Sequence, residues 1–208
     1  MSHDIIRWVF TLIQSTMALL IVLDPFGLLP LVVGVTHQMT TKQRQRMLTR
    51  AVLIAFAMLL VFTFSGTAIL KLFGIELFDL QIAGGMLLLV MALNIVIHGR
   101  MSSEPALDGG IGMGVVPIAS PLLVGPGSIT AAVVLVGTQG IVLASLAVAI
   151  AFFLTWVVLR ATTLIYKILG VTGSDVIARI MGILLAAIAI VYIRDGIFGI
   201  LVAKGICK

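Results

Sequence analysis

Asp24 is followed at once by Pro25, with Phe26, Gly27 and Leu28 next, all inside the long apolar run from Ile5 to Thr36. In lipid a carboxylate at mid-membrane costs about 2.5–3.5 kcal/mol on insertion scales, so such a residue faces a partner or a wet cavity. Pro25 has no amide proton and strains the turn before it, and the residue preceding a proline is biased away from helix. Gly27 loosens the backbone further, and Pro30 follows. A helix that breaks and restarts here turns the first amides of the new half-helix into the gap, carrying partial positive charge. Such an end receives a carboxylate or a phosphate, and the carbonyls released on the other side suit a cation.

A second segment, "VVPIASPLLVGPGSIT", repeats the arrangement with Pro117, Pro121, Gly125, Pro126 and Gly127. Ser120, Ser128 and Thr130 supply neutral hydroxyls beside it. The candidate donors are the backbone amides from Gly27 to Leu29 and from Gly127 to Ile129. Asp24 has three roles open to it: pairing with a substrate ammonium, binding a proton or sodium ion, or capping the restarted helix. Single prolines in membrane helices are often mere kinks. Two breaks at corresponding positions match the pattern by which transporters place a substrate site.

These residues sit in a chain of 208 residues that is 61% hydrophobic and 10% charged, where soluble domains carry about 25% charged residues. The composition is that of an integral membrane protein. Its apolar runs far exceed the roughly 10-residue alternating segments of a membrane barrel, so the expectation is all-α, with six transmembrane helices near 6–36, 48–73, 77–98, 112–137, 141–168 and 174–203. The first run is too long for a signal-peptide core and has no small-residue cleavage site. The formal charge is +5, and four basic residues gather in "THQMTTKQRQRMLTR", which in a membrane chain signals topology, not nucleic acid. With Lys42, Arg44, Arg46 and Arg50 cytoplasmic, Arg100, Lys167 and Arg179 fall on the same side, and both termini lie outside.

The chain also resembles itself. Lys71, Gly74 and Asp79 of "KLFGIELFD" recur as Lys167, Gly170 and Asp175 of "KILGVTGSD", 96 residues later. Gly84 of "IAGGMLLLVMALNIVI" recurs as Gly182 of "IMGILLAAIAIVYIRD", 98 residues later, and Pro25 corresponds loosely to Pro126. Two three-helix repeats, 1–100 and 108–208, follow, joined by "RMSSEPALDGG" in one transmembrane domain. An odd number of spans per repeat makes the second enter from the opposite face, so the repeats are inverted.

The remaining polar residues have simpler uses. Gln14, Ser15, Thr16 and Asn94 can hydrogen-bond between helices. Arg160 either neutralises Asp24 or, near a helix end, snorkels to the interface, the second being favoured. Arg194 and Asp195 form an interfacial pair, and the glycines of "IAGG" and "IMGI" allow close helix approach. Enzyme chemistry needs a nucleophile, a base or metal ligands at one depth. His3, His37 and His98 lie at chain or helix ends, Ser128 has no base, and the single cysteine, Cys207, adjoins the C-terminus. The expectation is therefore no enzyme, no metal and no cofactor.

At "LDPFGLLPLVVGVT", "IAGGMLLLVMALNI" and "VVPIASPLLVGPGSIT" the chain resembles the MarC family of prokaryotic membrane proteins, the six-helix neutral amino acid transporter family grouped with LysE-type exporters. The likeness covers essentially the whole chain. It implies a multi-pass protein of the cell inner membrane that moves small neutral amino acids such as glycine, alanine or serine, with sodium or protons as coupling ion. A homo-oligomer is compatible with it. The matching motif residues are Asp24, Pro25, Gly27, Pro30, Pro121, Gly125, Pro126 and Gly127. Many relatives carry asparagine after the first motif's glycine where this chain has Leu28, a departure that bears on the substrate. The rival expectation is a flippase or exporter of a lipidic or drug-like molecule, with a laterally open cavity lined by methionines and aromatics.

Overall fold

The computed structural model describes residues 2–36, 39–98 and 123–205. Among them every regular element is helical: α1 (Ser2–Leu23), α2 (Leu29–Thr36), α3 (Thr41–Phe73), α4 (Leu77–His98), α5 (Pro126–Gln139), α6 (Ile141–Arg160) and α7 (Thr162–Ala203). Among the described residues five stretches are long and apolar enough to cross a membrane: Ile5–Leu23, Thr41–Phe73, Leu77–Ile97, Ile141–Arg160 and Thr172–Ala203. The fourth expected span, 112–137, is described only from Leu123 onward.

Local chemistry moves several boundaries from those the hydropathy suggests. The basic segment is helical, not a loop, because Thr40 and Gln43 form a capping box: Thr40 Oγ1 accepts the Gln43 amide at 3.4 Å and Gln43 Oε1 accepts the Thr40 amide at 2.9 Å. This adds almost two turns below the apolar part of α3, whose 33 residues reach about 50 Å at 1.5 Å per residue. At its other end Gly74 takes φ 67 and ψ 24, a left-handed cap whose neighbour Ile75 donates to the Leu70 carbonyl at 2.9 Å. The fifth span stops at Arg160 instead of 168. The chain then turns at Ala161 and re-enters helix at Thr162. Gly170 kinks that helix with φ 65 and ψ −170, so Gly74 and Gly170, matched in the sequence, both hold positive φ.

The core rests on small residues. In α4 and α7, which run antiparallel, a Cβ at Gly85 would lie 2.8 Å from the Ala189 carbonyl, and one at Gly182 would lie 3.3 Å from the Ala92 carbonyl. Gly196 is held 2.8 Å from the Phe78 carbonyl by the same measure. Without lipid-excluded water to drive association, this close backbone approach is what holds membrane helices together. Leu19, Leu23, Leu28, Leu59, Leu88, Ala92, Ala147, Leu159 and Leu185 belong to one buried apolar cluster, whereas Phe64, Leu72, Val90 and Phe153 point outward, as lipid-facing side chains do.

Candidate functional site: two helix breaks below a polar cavity

α1 ends at Leu23, and Asp24 takes φ 41, a left-handed conformation that non-glycine residues rarely adopt and that aspartate and asparagine tolerate better than most. Its amide still donates to the Leu20 carbonyl at 3.1 Å. Residues 25–28 then turn, and α2 restarts at Leu29. The Asp24 side chain is 2% exposed. One carboxylate oxygen, Oδ1, accepts the Gly27 amide at 3.0 Å, while Oδ2 is buried with no hydrogen-bond partner among the described residues. Oδ1 therefore caps the turn over residues 25–28 that leads into α2, which uses half of the carboxylate.

The second break is built from the opposite direction. Gly125 is extended at φ −104 and ψ 179, and Pro126 starts α5 at the position where its missing amide proton costs nothing. Ser128 Oγ reaches back to accept the Gly125 amide at 3.1 Å and lies 3.1 Å from the Gly125 carbonyl and 3.2 Å from the Leu123 carbonyl. A side chain ahead of the restart caps the first break, and one behind it caps the second.

The restarts offer fewer free amides than the sequence suggests. Gly27 N–H is taken by Asp24, Leu29 N–H by the Phe26 carbonyl at 3.1 Å, and Ile129 N–H by the Gly125 carbonyl at 3.1 Å. The amides of Leu28, Gly127 and Ser128 remain without a partner among the described residues. The breaks are also closely packed. Leu28 is 1% exposed and Ser128 3%, Gly127 faces Leu88 of α4 and Val22 of α1, and Thr130 lies against Gly84. Phe26 is half-buried and Pro126 exposed. Ser120, with Pro117 and Pro121, lies outside the described residues.

The open space is one turn away. A cavity of about 580 Å³ lies between α1, α4, α5 and α7, bounded by Thr11, Gln14, Ser15, Ala18 and Ile21, by Gln81, by Val134, Thr138 and Gln139, and by Ala187, Val191, Tyr192 and Asp195. Polar groups from all four helices converge on it. Gln81 is 6% exposed and its Oε1 has no partner among the described residues, and Thr16 Oγ1, next to Ser15, is likewise buried and unpaired. A buried polar oxygen left unpaired costs about 1–3 kcal/mol, which marks Gln81 Oε1, at the cavity wall, as a group that a ligand or water completes.

Sequence reasoning gave Gln14, Ser15 and Thr16 a helix-to-helix role and passed over Gln81, Thr138, Gln139 and Tyr192. The available signal was Gln81 in "FDLQIAGG", a lone amide three residues before Gly84 and so on the same helix face. Arg160 does not approach Asp24: its guanidinium stacks 5.0 Å from the Trp156 ring centroid and lies 3.5 Å from Gln45 Oε1. Arg194 and Asp195 pair at 2.8 Å on the exposed surface. No group of three or more metal-ligating side chains occurs among the described residues.

Residues 9–201 match the profile of a family described as MarC family integral membrane proteins. A UPF0056 membrane protein of Archaeoglobus fulgidus is 34% identical over 204 residues, covering 93% of this chain and 95% of the relative. One from Methanocaldococcus jannaschii is 36% identical over 191 residues, covering 86% and 92%. The UPF0056 inner membrane protein YhgN of Escherichia coli is 30% identical over 192 residues, covering 89% and 95%. No solved structure matches the chain.

Proposed function

This chain belongs to the MarC family of integral membrane proteins, and from that premise we propose that it is a secondary transporter of small neutral amino acids rather than an enzyme. The observation that carries the proposal is the cavity of about 580 Å³ within an otherwise apolar bundle, edged by side chains of four helices and ending at Ile21, three residues before Asp24. A zwitterion needs donors for its carboxylate and acceptors for its ammonium. Gln14, Ser15 and Gln139 supply the first at the cavity, and the amides of Leu28, Gly127 and Ser128, without a partner among the described residues, supply it at the breaks. Gln81 Oε1, buried with no partner among the described residues, supplies the second.

In this proposal the structure is a state closed at the breaks and open above them. Substrate enters the cavity, and separation of the two capped turns passes it on as one inverted repeat rocks against the other. Asp24 Oδ2 takes the coupling proton or sodium ion. The basic start of α3 faces the cytoplasm, which puts both termini outside a cell inner membrane such as the one YhgN is named for. Purified protein in liposomes, given radiolabelled glycine, alanine or serine with and without sodium and proton gradients, tests it. Saturable, gradient-dependent uptake is expected, and no saturable flux of any of the three refutes it.

A further inference from the structure

A second recess lies on the opposite side of the bundle's logic: not between polar faces but between α3 and α6, open to lipid. Its volume is about 260 Å³, and its walls are Val52, Leu53 and Phe56 of α3 and Phe152, Phe153 and Trp156 of α6, with the small Ala149 leaving the space. Leu53 and Phe153 are about three-fifths exposed, at 59% and 61%, so the recess opens sideways. Its aromatic walls are fixed. Phe56 and Phe152 sit with centroids 5.5 Å apart, Phe153 and Trp156 at 6.1 Å, and the Trp156 indole N–H donates to Thr49 Oγ1 at 3.1 Å.

One end of this recess is strongly cationic. Arg160 lies one turn beyond Trp156 on the same face of α6, its guanidinium stacked on the indole and its remaining donors exposed. On α3, Arg46 and Lys42 lie three and seven residues before Thr49, on the face that carries Thr49 and Leu53. Among the described residues the one ion pair is Arg194 with Asp195, so none of these three cations has a carboxylate partner. Arg44 is engaged with Thr163 Oγ1 and ties α3 to the start of α7 at this level. Helix chemistry does not explain the cluster. Cations at a helix N-terminus face the positive end of the dipole and are disfavoured there, and the first turn of α3 has no acidic residue to offset Lys42. The anionic headgroups of a cytoplasmic leaflet complement such a cluster.

We propose that this recess is a binding site for one anionic glycerophospholipid, whose phosphate sits between Arg160, Arg46 and Lys42 and whose acyl chain lies against Phe56, Phe152, Phe153 and Trp156. The dimensions agree. Arg160 to Phe152 is eight residues, about 12 Å along α6, the depth over which an acyl chain leaves the headgroup layer and enters the hydrocarbon. Fork-shaped guanidinium donors suit a phosphate, and the occupant is already dissolved in the solvent that bathes the groove. The lipid would brace α3 against α6, away from the cavity and the breaks.

Native mass spectrometry of the full chain in mild detergent, titrated with phosphatidylglycerol or with phosphatidylcholine of the same acyl chains, tests this. The expected result is one retained phosphatidylglycerol with about tenfold preference over phosphatidylcholine, a difference of about 1.4 kcal/mol. Arg160→Ala should remove the preference, and Ala149→Phe, which fills the groove without touching the cations, should lower retention of both lipids. Glycerol phosphate should not compete. Equal retention of the two lipids by the unaltered chain, an unchanged preference in Arg160→Ala, or full displacement by glycerol phosphate would each overturn the proposal. Variants are compared only where their helical circular dichroism and gel-filtration profile match the unaltered chain, and Arg160→Lys, which keeps charge at the same place, should retain part of the preference.

Discussion

Asp24 and Gly27 fit one another as lock and key: Oδ1 of the aspartate accepts the glycine amide at 3.0 Å, and a Cβ on residue 27 would fall 2.8 Å from the aspartate Cγ, inside the carboxylate. Gly27 is therefore required for close approach, beyond the flexibility expected of a glycine in a broken helix. The pair holds the chain in a sharp turn at Asp24 while leaving Oδ2 unused and buried.

Gly27→Ala should displace the carboxylate and break the cap together. Overpacking of a tight site costs about 1–3 kcal/mol, so the expected outcome is a lowered thermal midpoint in detergent with reduced uptake. A midpoint equal to that of the unaltered chain would show that the turn relaxes freely around the added methyl.

Substitutions of Asp24 separate its two oxygens. Asp24→Asn keeps an oxygen for the Gly27 amide and removes the charge, so stability should change by less than about 0.5 kcal/mol, as for isosteric cap exchanges among aspartate and asparagine. Ion-gradient dependence of uptake should be lost. Asp24→Ala should cost about 1 kcal/mol more through loss of the cap. Gradient-dependent transport that survives Asp24→Asn would confine the residue to capping.

Leu88 and Gly127 should compensate one another. A Cβ at Gly127 would lie 3.2 Å from Leu88 Cγ and overlap the leucine's methyl end. Gly127→Ala is expected to cost about 1–3 kcal/mol and Leu88→Ala about 2–5 kcal/mol, since Leu88 is fully buried. In the double variant the added methyl enters the vacated space, so the combined cost should fall short of the sum by about 0.5–3 kcal/mol. Strict additivity in chemical or thermal unfolding would show that α4 and α5 do not pack as described.

Gln81→Leu should hurt transport without hurting the fold. Because Oε1 has no partner among the described residues, replacing the amide with an apolar group of similar size removes an unsatisfied buried acceptor and should leave the thermal midpoint equal or higher. Uptake at low substrate concentration should drop at least tenfold, about 1.4 kcal/mol of lost binding. A normal Michaelis constant would remove Gln81 from the substrate path.

Topology can be read from Cys207, the single cysteine of the chain. In right-side-out spheroplasts a membrane-impermeant maleimide should label it without detergent, as termini outside the cell require. Labelling only after permeabilisation would invert the orientation and place the basic start of α3 outside.

The sequence by itself determined the membrane class, the approximate place of the apolar helices and the helix restarts after Asp24 and at Pro126, because these depend on local quantities: run length of apolar residues, proline and glycine chemistry, and the cost of a charge in lipid. Asp24-Pro25 favours an interruption of the helix however that helix is packed. It also contained, unnoticed, the Thr40–Gln43 capping box that makes the basic segment helical. Only the tertiary structure decided which polar atoms find partners. That Ser128 serves the Gly125 amide, that Arg160 turns to Trp156 and not Asp24, and that Gln81 from α4 meets Gln14, Thr138 and Tyr192 across a cavity depends on which helices are neighbours and how they are rotated. In a chain where nearly every face is apolar, hydropathy does not distinguish the face toward lipid from the face toward another helix. Small residues packed backbone to backbone, such as Gly85 on Ala189 and Gly182 on Ala92, make that choice.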